Sequence, residues 1–267
     1  MRAEKPFFTI ITVSFNAEDT IAQTVNSALN QTFEDFEIVV KDGLSKDQTV
    51  SRIPSDSRIQ VYSESDHGIY DAMNAGIARA EGKYLIFMNC GDLFASETVL
   101  AEIHDLLVKE DYPGVLYGDY AVDHVRCVQG NHLTRFYLYR TPLCHQTMVI
   151  AKAAFEEHGL YDCKYRILAD YDFTLRCWMS GVRFVHSDTV ICNYLGGGVS
   201  ESKKGAKIKE VERKEIVKKH YGAWERFRYD LILFMTLRKL RMWLFSNSCP
   251  RFIRSAYRKF VNRLNTK

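Results

Sequence analysis

The strongest constraint on the fold is a series of four short apolar runs in the first 90 residues, each followed by polar residues. The runs are Phe7–Val13, Phe36–Val40, Ile59–Tyr62 and Tyr84–Met88. Segments with helical spacing of apolar residues, at 17–29 and 69–80, lie between them. Strands that alternate with helices in this way predict a mostly parallel, doubly wound α/β sheet. The fourth run is apolar throughout, which predicts a strand covered by helices on both faces.

Carboxylates follow three of these predicted strands. Asp42 comes after the second run, Asp66 after the third and Asp92 after the fourth. The carboxyl ends of parallel strands meet at one edge of a sheet, where ligands of open α/β folds bind. Carboxylates gathered there repel one another unless a cation or a hydrogen-bonding ligand lies between them. The pattern favours a shared ligand site, although each acid alone also suits a turn, and Asp92 suits the cap of a helix over 93–108.

Two common phosphate-binding motifs are missing from the sequence. Neither GxGxxG nor GxxxxGK[ST] occurs, which argues against a dinucleotide-binding fingerprint and against a P-loop. A divalent metal ion is therefore expected to hold the phosphates of a nucleotide ligand. A nucleotidyltransferase is the less favoured interpretation, because that class normally binds its triphosphate with a basic, Gly-rich loop.

The cysteines and the hydrophobicity indicate a cellular compartment. The seven cysteines are scattered and include no CxxC pair, which argues against a disulfide framework and a zinc site and fits a reducing cytoplasm. The N-terminal residues lead directly into the first predicted strand without a leader-type apolar segment. No run approaches the roughly 20 apolar residues of a membrane-spanning helix. We therefore expect a cytoplasmic protein.

The charge is distributed unevenly along the chain. Residues 201–267 contain 19 Lys and Arg against 6 Asp and Glu, whereas residues 1–200 contain 17 against 27. An acidic body with a basic tail predicts chemistry in the body and attachment to an anionic partner by the tail.

Basic residues in the tail surround apolar lines with helical spacing. Helices are predicted over 208–221 and 223–245, and a further one after Pro250. The second helix aligns Trp224, Phe227, Leu231 and Phe234. This pattern is typical of interfacial amphipathic helices and predicts peripheral docking on an anionic membrane surface. Packing on the same domain or on a second subunit is the alternative. Nucleic acid is not the expected partner, because no recognised binding module accompanies the charge.

Four stretches together resemble, in order and spacing, the nucleotide-binding half of family 2 GT-A glycosyltransferases. They are Thr12–Asn16, Gln31–Thr49, Asp66–Ile77 and Gly82–Asp92. The resemblance covers roughly residues 7–200 and is strongest to bacterial enzymes that build colanic acid, capsule or O-antigen repeat units. It implies a GT-A catalytic domain over 1–205, with a nucleotide-sugar half at 7–112 and an acceptor half at 113–205. A basic amphipathic helical tail at 206–267 follows.

The resemblance assigns nucleoside-binding roles position by position. Thr12, Ser14 and Asn16 lie in the motif that contacts the nucleoside. Asp42 stands where the family hydrogen-bonds uracil, and Asp66 where it supports the base or the ribose. These positions imply a UDP-sugar donor.

The stretch Asn89-Cys-Gly-Asp92 stands at the DxD position of the family. Asn89 and Gly91 replace acids there, so the resemblance leaves Asp92 as the single charged ligand for Mn²⁺ or Mg²⁺. It also places His145 on a strand near the donor sugar, and Lys203 in a loop that closes over the diphosphate. A purely structural role is the more common one for a lone His and is the alternative for His145.

Transfer with inversion requires a carboxylate that takes the proton of the acceptor hydroxyl. The family places this base in a Glu-Asp pair that opens a helix. Ala169-Asp170 matches that pair, so the resemblance implies that Asp170 is the base, with Asp172 as the fallback. Alternatively, both acids are ordinary first-turn helix residues, with Arg176 as the i+4 partner of Asp172. Asp119, near the end of another predicted strand, suits either the crevice or a turn.

Together these observations predict an inverting, metal-dependent glycosyltransferase. It would move a sugar from a UDP-sugar to a lipid-linked saccharide acceptor in bacterial surface polysaccharide synthesis, peripherally at the inner face of the plasma membrane. This assignment requires Asp92 and Asp170 to meet across one cavity. A sugar-nucleotide-binding scaffold with weak or no catalysis is the alternative, because acids are missing from the metal motif and before Asp170. The sequence leaves the oligomeric state open.

Overall fold

The computed structural model describes residues 5–122, 125–194 and 202–236, and only the backbone of Lys203. Residues 195–201, which precede Lys203 in the loop predicted to close over the diphosphate, lie outside the described residues. So do the helix predicted after Pro250 and the second half of the helix predicted over 223–245. The chain divides into two compact units, Met1–Ile216 and Val217–Lys267.

In the described residues, nine strands form one sheet. They are β1 (Phe8–Ser14), β2 (Phe36–Asp42), β3 (Ile59–Ser63), β4 (Tyr84–Phe87), β5 (Leu93–Phe94), β6 (Val115–Val122), β7 (Val125–Cys127), β8 (Met148–Ala151) and β9 (Phe184–Tyr194). Their order is β3-β2-β1-β4-β8-β6-β9-β5, with β7 paired to β6.

Helices connect most of these strands. They are α1 (Ile21–Leu29), α2 (Ile69–Arg79), α3 (Val99–Lys109), α4 (Arg135–Arg140), α5 (Lys152–His158), α6 (Ala169–Met179), α7 (Lys203–His220) and α8 (Ala223–Met235). Two single 3₁₀ turns, Val50–Arg52 and His145–Thr147, complete the regular structure of the described chain. Not one of the helices in these segments is long and apolar enough to cross a bilayer.

The sheet is parallel where the sequence predicted it to be. β1 to β4 run in one direction, and β8 is antiparallel to both β4 and β6. β6 and β9 are again parallel to each other. Two reversals separate β4 from β6, so both strands run in the same direction. The predicted mostly parallel α/β architecture with C-terminal helices is confirmed, with β5, β7 and β8 as antiparallel additions.

The predicted central strand is fully buried. All four residues of β4 are buried, and so are all seven residues of β1 beside it. α1 and α2 both pack on β1, while α3 packs on β9. Continuous apolar runs of this kind form central strands because both of their faces lose water on folding.

Two local predictions differ from the structure. Asp92 does not cap a helix, because the strand β5 follows it and α3 begins only at Val99. His145 lies in a 3₁₀ turn that precedes β8, not on the strand itself. α7 begins at Lys203, so the predicted domain division after residue 205 falls inside this helix and remains a prediction. In the first case, pairing of β5 with β9 holds extended a segment whose helical spacing was ambiguous.

Candidate active site

The carboxyl ends of β1 and β2 bring two predicted nucleoside-binding residues side by side. Ser14 and Asp42 are register partners at the last positions of these strands. Thr12, two residues earlier in β1, is buried, as is Ser14. The alternation of side chains along a strand places Thr12 and Ser14 on the same face of the sheet.

Asp42 is held in its ionised form by a dense set of donors. Its carboxylate accepts hydrogen bonds from the hydroxyls of Ser14 (3.1 Å) and Ser63 (2.9 Å) and from both the backbone N–H (2.9 Å) and the hydroxyl of Ser45. Burial opposes ionisation, but the bonds from Ser45, Ser63 and Ser14 outweigh it and lower the pKa of Asp42. A carboxylate offers about four lone-pair positions. The four donors from the three serines therefore fill the positions of the Asp42 carboxylate.

Asp66 forms an ion pair with a buried lysine. Lys41, only 1% exposed, donates from Nζ to Asp66 Oδ2 at 2.9 Å and to the backbone carbonyls of Asp42 and Glu64. The other oxygen of Asp66 accepts the N–H of Gly68 at 3.1 Å. The sequence predicted a ligand contact for Asp66 but gave no indication of Lys41. Asp66 therefore compensates a buried charge in addition to any contact with the nucleoside.

The loop after β1 adds an exposed aromatic ring that the sequence reasoning missed. Phe15 is 64% exposed. A Cβ atom on Gly43 would lie 2.8 Å from Asp66 Oδ2 and 3.2 Å from the Phe15 ring, so both side chains border this glycine. Asn16 adopts a left-handed backbone conformation, and its Oδ1 accepts the N–H of Lys46. Asn16 thus shapes the turn, while an apolar residue exposed at a strand end was the available signal for Phe15.

The turn after β4 carries Asn89, Gly91 and Asp92. The Asp92 N–H donates to the Asn89 carbonyl at 2.9 Å, and Gly91 has a φ of +98°, which side chains rarely tolerate. Asp92 is 6% exposed and accepts a hydrogen bond from Gln146 Nε2 at 3.2 Å. Burial raises the pKa of Asp92 to about 6, against the lowering effect of His145 and Gln146. The positive charge and hydrogen-bond donors around the Asp92 carboxylate therefore do not compensate for its burial.

Asn89 and Asp92 together suit a divalent cation. The Asn89 Oδ1 atom is buried and has no hydrogen-bond partner, which is unusual for a buried amide oxygen. Amide and carboxylate oxygens are the ligands that Mg²⁺ and Mn²⁺ prefer. Across the described segments no three His, Cys, Asp or Glu residues form a metal-binding group. An ion here would rely on Asp92, Asn89, water and the oxygens of a bound diphosphate.

His145 connects the turn after β4 to the start of α6. Its Nε2 lies 3.2 Å from Asn89 Nδ2, and its Nδ1 lies 3.4 Å from Asp170 Oδ2. Burial lowers the pKa of His145, but the hydrogen bond and negative charge of Asp170 outweigh burial and leave it raised. Because Gln146 binds Asp92, two consecutive residues contact both predicted acids. The structure therefore links Asp92 to Asp170 through Gln146 and His145, and the cavity expected between the two acids stays a prediction.

Asp170 lies in the first turn of α6 and is buried. Its Oδ1 accepts the N–H of Tyr171 at 2.8 Å and lies 2.9 Å from the hydroxyl of Tyr70. The single proton of that hydroxyl is shared between Asp170 and the backbone carbonyl of Ile167, at 2.7 Å. Burial raises the pKa of Tyr70 well above its usual value, and the charge of Asp170 adds to this effect. Tyr70 stays a donor at any physiological pH. Its position in α2 was visible in the sequence, but its contact across 100 residues was not.

The fallback base is already paired. Asp172 is fully buried, and its Oδ2 accepts from Arg176 Nε at 3.1 Å. This is the i+4 helix pair that the alternative interpretation described. Of the two acids, Asp170 is the one linked to Asn89 through His145. The Lys203 side chain lies outside the described residues.

Two further acids have structural contacts that the sequence did not predict. Asp119 is buried within β6, where it binds Arg126, the N–H of Gln129 and His186, so it is not a turn residue. Glu212 in α7 accepts the backbone N–H groups of Arg166, Ile167 and Leu168 at 2.6 to 3.0 Å. Glu212 thereby fixes the segment that leads into Asp170.

Comparison with known proteins is consistent with this geometry. The family model "Glycosyl transferase family 2" matches residues 9–149. A PGL/p-HBAD biosynthesis glycosyltransferase of Mycobacterium tuberculosis is 30% identical over 202 residues, which cover 72% of this chain and 78% of the relative. The match extends beyond the nucleotide-binding half.

Solved structures share the fold. S. aureus TarS 1–349 in complex with UDP-GlcNAc has a TM-score of 0.61 and 19% identity, covering 90% of this chain and 74% of that chain. The mannosyltransferase PcManGT from Pyrobaculum calidifontis in complex with GDP-Man and Mn²⁺ has a TM-score of 0.58 and 15% identity, covering 90% and 84%. At such identities the likeness is one of architecture.

Proposed function

Because this chain belongs to glycosyl transferase family 2, we propose that it transfers a sugar from a UDP-sugar to a saccharide acceptor with inversion at the anomeric carbon. The proposal rests on the side-chain contacts that link the two acids: Gln146 binds Asp92, and the adjacent His145 contacts Asp170 and Asn89. An inverting transfer needs a base on one side of the sugar and charge compensation for the leaving diphosphate on the other. The UDP-GlcNAc and GDP-Man complexes of the structural neighbours support a nucleotide-sugar donor.

Asp170 is the proposed base, acting through Oδ2. Tyr70 and Tyr171 already occupy Oδ1, whereas His145 takes one side of Oδ2. The remaining lone pair of Oδ2 accepts the proton of the acceptor hydroxyl as its oxygen bonds to the anomeric carbon. The bond from that carbon to the donor phosphate breaks, and its electron pair leaves with the diphosphate. A Mn²⁺ or Mg²⁺ ion held by Asp92 and Asn89 would supply positive charge to this leaving group.

The nucleoside end of the donor is proposed to bind at the ends of β1 and β2. Ser14 and Asp42 provide polar contacts there, Asp66 and Lys41 form the adjacent ion pair, and Phe15 offers an exposed ring face. Uracil stacked on an aromatic ring and hydrogen-bonded at its edge fits this set.

The acceptor is proposed to approach along an open cleft of about 460 Å³ in the predicted acceptor half of the domain, residues 113–205. The cleft is lined by Val128, Gln129, Gly130, Asn131, Tyr137, Arg140, Thr141, His186 and Asp188. Gln129 also binds the backbone N–H of Cys144 and the hydroxyl of Thr147, on either side of His145 and Gln146. The mixture of polar groups and one tyrosine ring suits a saccharide.

A binding experiment tests the donor and metal proposals. UDP with Mn²⁺ is expected to raise the melting temperature by several degrees, since saturation at about 100 times Kd adds about 2.7 kcal/mol of stability. Asp92→Asn should remove the additional shift that Mn²⁺ gives and keep the shift that UDP gives in EDTA. Ser96→Ala, an exposed change in a nearby loop, is the matched control. An equal shift with ADP, or a Mn²⁺ increment that survives Asp92→Asn, would contradict the proposal.

The tail is proposed to dock on an anionic membrane, which suits a lipid-linked acceptor. The apolar face predicted for α8 is exposed, with Trp224 at 75% and Phe227 at 58%. The full set of exposed apolar residues on this helix is Trp224, Phe227, Leu231, Phe234 and Met235. Trp224 and Phe227 stack at 5.6 Å, while Tyr229 and Ile232 on the other face are buried. An apolar face in a strongly basic segment is the composition of an interfacial helix.

Replacing Trp224 and Phe227 together by Ser should lower binding to phosphatidylglycerol vesicles about 10-fold or more, because two large apolar groups no longer enter the interface. Co-sedimentation measures the bound fraction. Val128→Ser with Val211→Ser, two exposed apolar residues outside α8, is the matched control and should bind like the parent. Equal binding of both double variants, or equal binding to neutral phosphatidylcholine, would refute the docking proposal.

A further inference from the structure

His145 lies in a turn that is fixed at both ends. Gln129 is buried and uses both polar atoms of its side-chain amide on this turn: Oε1 accepts the N–H of Cys144 at 2.9 Å, and Nε2 donates to Thr147 Oγ1 at 2.6 Å. The Thr147 N–H closes the turn on the Cys144 carbonyl at 3.1 Å. The backbone that carries His145 therefore cannot shift without breaking several buried hydrogen bonds.

The partners of the imidazole define its hydrogen atoms. Nδ1 faces Asp170 Oδ2, and an ionised carboxylate only accepts, so Nδ1 carries the proton. Nε2 faces the amide nitrogen of Asn89, which only donates, so Nε2 accepts. Of the two neutral tautomers, the one with its proton on Nδ1 satisfies both neighbours.

The same contact orients the Asn89 amide. With Nδ2 committed to His145, Oδ1 is the atom left without a protein partner. In this arrangement His145 holds Nδ2 and leaves Oδ1 as the atom that is available to a ligand.

Building on the proposed function, we propose that His145 is a positioning residue that aligns both sides of the reaction centre at once. Its Nδ1–H holds Asp170 so that one lone pair of Oδ2 is left for the acceptor hydroxyl. Its Nε2 holds the Asn89 amide so that Oδ1 is available to the donor diphosphate and its cation. His145 takes no proton in this scheme and touches neither substrate.

Two substitutions separate the two contacts. The amide nitrogen of Asn can occupy the place of Nδ1, so His145→Asn keeps a donor to Asp170 and loses the acceptor for Asn89. The amide of Gln reaches the place of Nε2, so His145→Gln keeps the acceptor for Asn89 and loses the donor to Asp170. Both variants are polar and smaller than or similar in size to His, and the melting temperature of each checks its folding.

The expected result is a crossed pattern. His145→Asn should lower the affinity for UDP in Mn²⁺ by about 10-fold and leave the rate of UDP release from saturating UDP-sugar within about threefold. His145→Gln should lower that rate by about 10- to 100-fold and leave UDP affinity within about twofold. Calorimetry with UDP and Mn²⁺ gives the affinity. UDP release is measured with the UDP-sugar that stabilises the parent chain most.

Equal losses of affinity and rate in both variants, or no loss in either, would overturn the inference. Asp170→Asn distinguishes this failure from a failure of the proposed function. If Asp170→Asn abolishes UDP release while the His145 variants show no crossed pattern, only the positioning role is wrong. If Asp170→Asn keeps its rate, the proposed base is wrong and the role of His145 falls with it.

Discussion

Replacing Asp170 by Asn is expected to lower turnover by about 10²- to 10⁴-fold, the contribution typical of a general base, with UDP binding within about twofold of the parent. The amide has the same shape as the carboxylate but cannot take the acceptor proton. Tyr70 and the N–H of Tyr171 can still donate to the remaining oxygen, so these two contacts at the start of α6 are kept. Release of UDP from a UDP-sugar, followed with and without added acceptor, measures the effect.

Asp172→Asn is the matched control, two positions along the same helix. It weakens the buried pair with Arg176 and is expected to lower stability, yet it should keep turnover per folded molecule. An Asp170→Asn variant with unchanged turnover would exclude Asp170 as the base. A parent chain that binds UDP with Mn²⁺ but releases no UDP from any sugar donor would favour the scaffold interpretation, which the missing acid before Asp170 made reasonable.

The sequence predicted the parts of the fold that local patterns determine. β1, β2 and β4 agree with continuous apolar runs, because a strand buried on both faces is apolar throughout. α2 agrees with its helical spacing, because a helix that buries one face has apolar residues at a regular interval. The two-residue strand β5 is too short to show either pattern in the sequence. It is extended because β9, about 100 residues later, pairs with it, and single-sequence periodicity contains no information about such a partner.

The candidate site shows the same division. Asp42 and Asp92 could be placed in advance because they follow predicted strands, and Asp170 because the family resemblance implied its position. The residues that bind these acids could not be predicted from the sequence. In the sequence, Lys41 is one polar residue at the end of a strand, and Tyr70 is an aromatic residue in a helix. In the structure, Lys41 contacts Asp66 and Tyr70 contacts Asp170. Such contacts depend on how elements pack, so the sequence named the acids without their partners.

Replacing Asp66 by Ala is expected to lower the free energy of unfolding by about 3 kcal/mol with no nucleotide present. The change leaves the Lys41 ammonium almost fully buried with only the carbonyls of Asp42 and Glu64 as partners. A buried charge that loses its counter-ion keeps its full cost of desolvation. Urea denaturation, with the midpoint shifted and the m-value unchanged, measures the loss.

The double variant Lys41→Met with Asp66→Ala tests this explanation. It removes the charge together with its counter-ion, so it should be more stable than Asp66→Ala alone, because apolar replacement of both members of a buried pair costs little. A double variant as unstable as the single one would show that Asp66 acts through Gly68 and the turn and not through Lys41. If Asp66 also contacts the nucleoside, the double variant regains stability but not UDP affinity. Measuring stability and UDP affinity on the same variants would then distinguish the role of Asp66 as counter-ion of Lys41 from its role as a nucleoside contact.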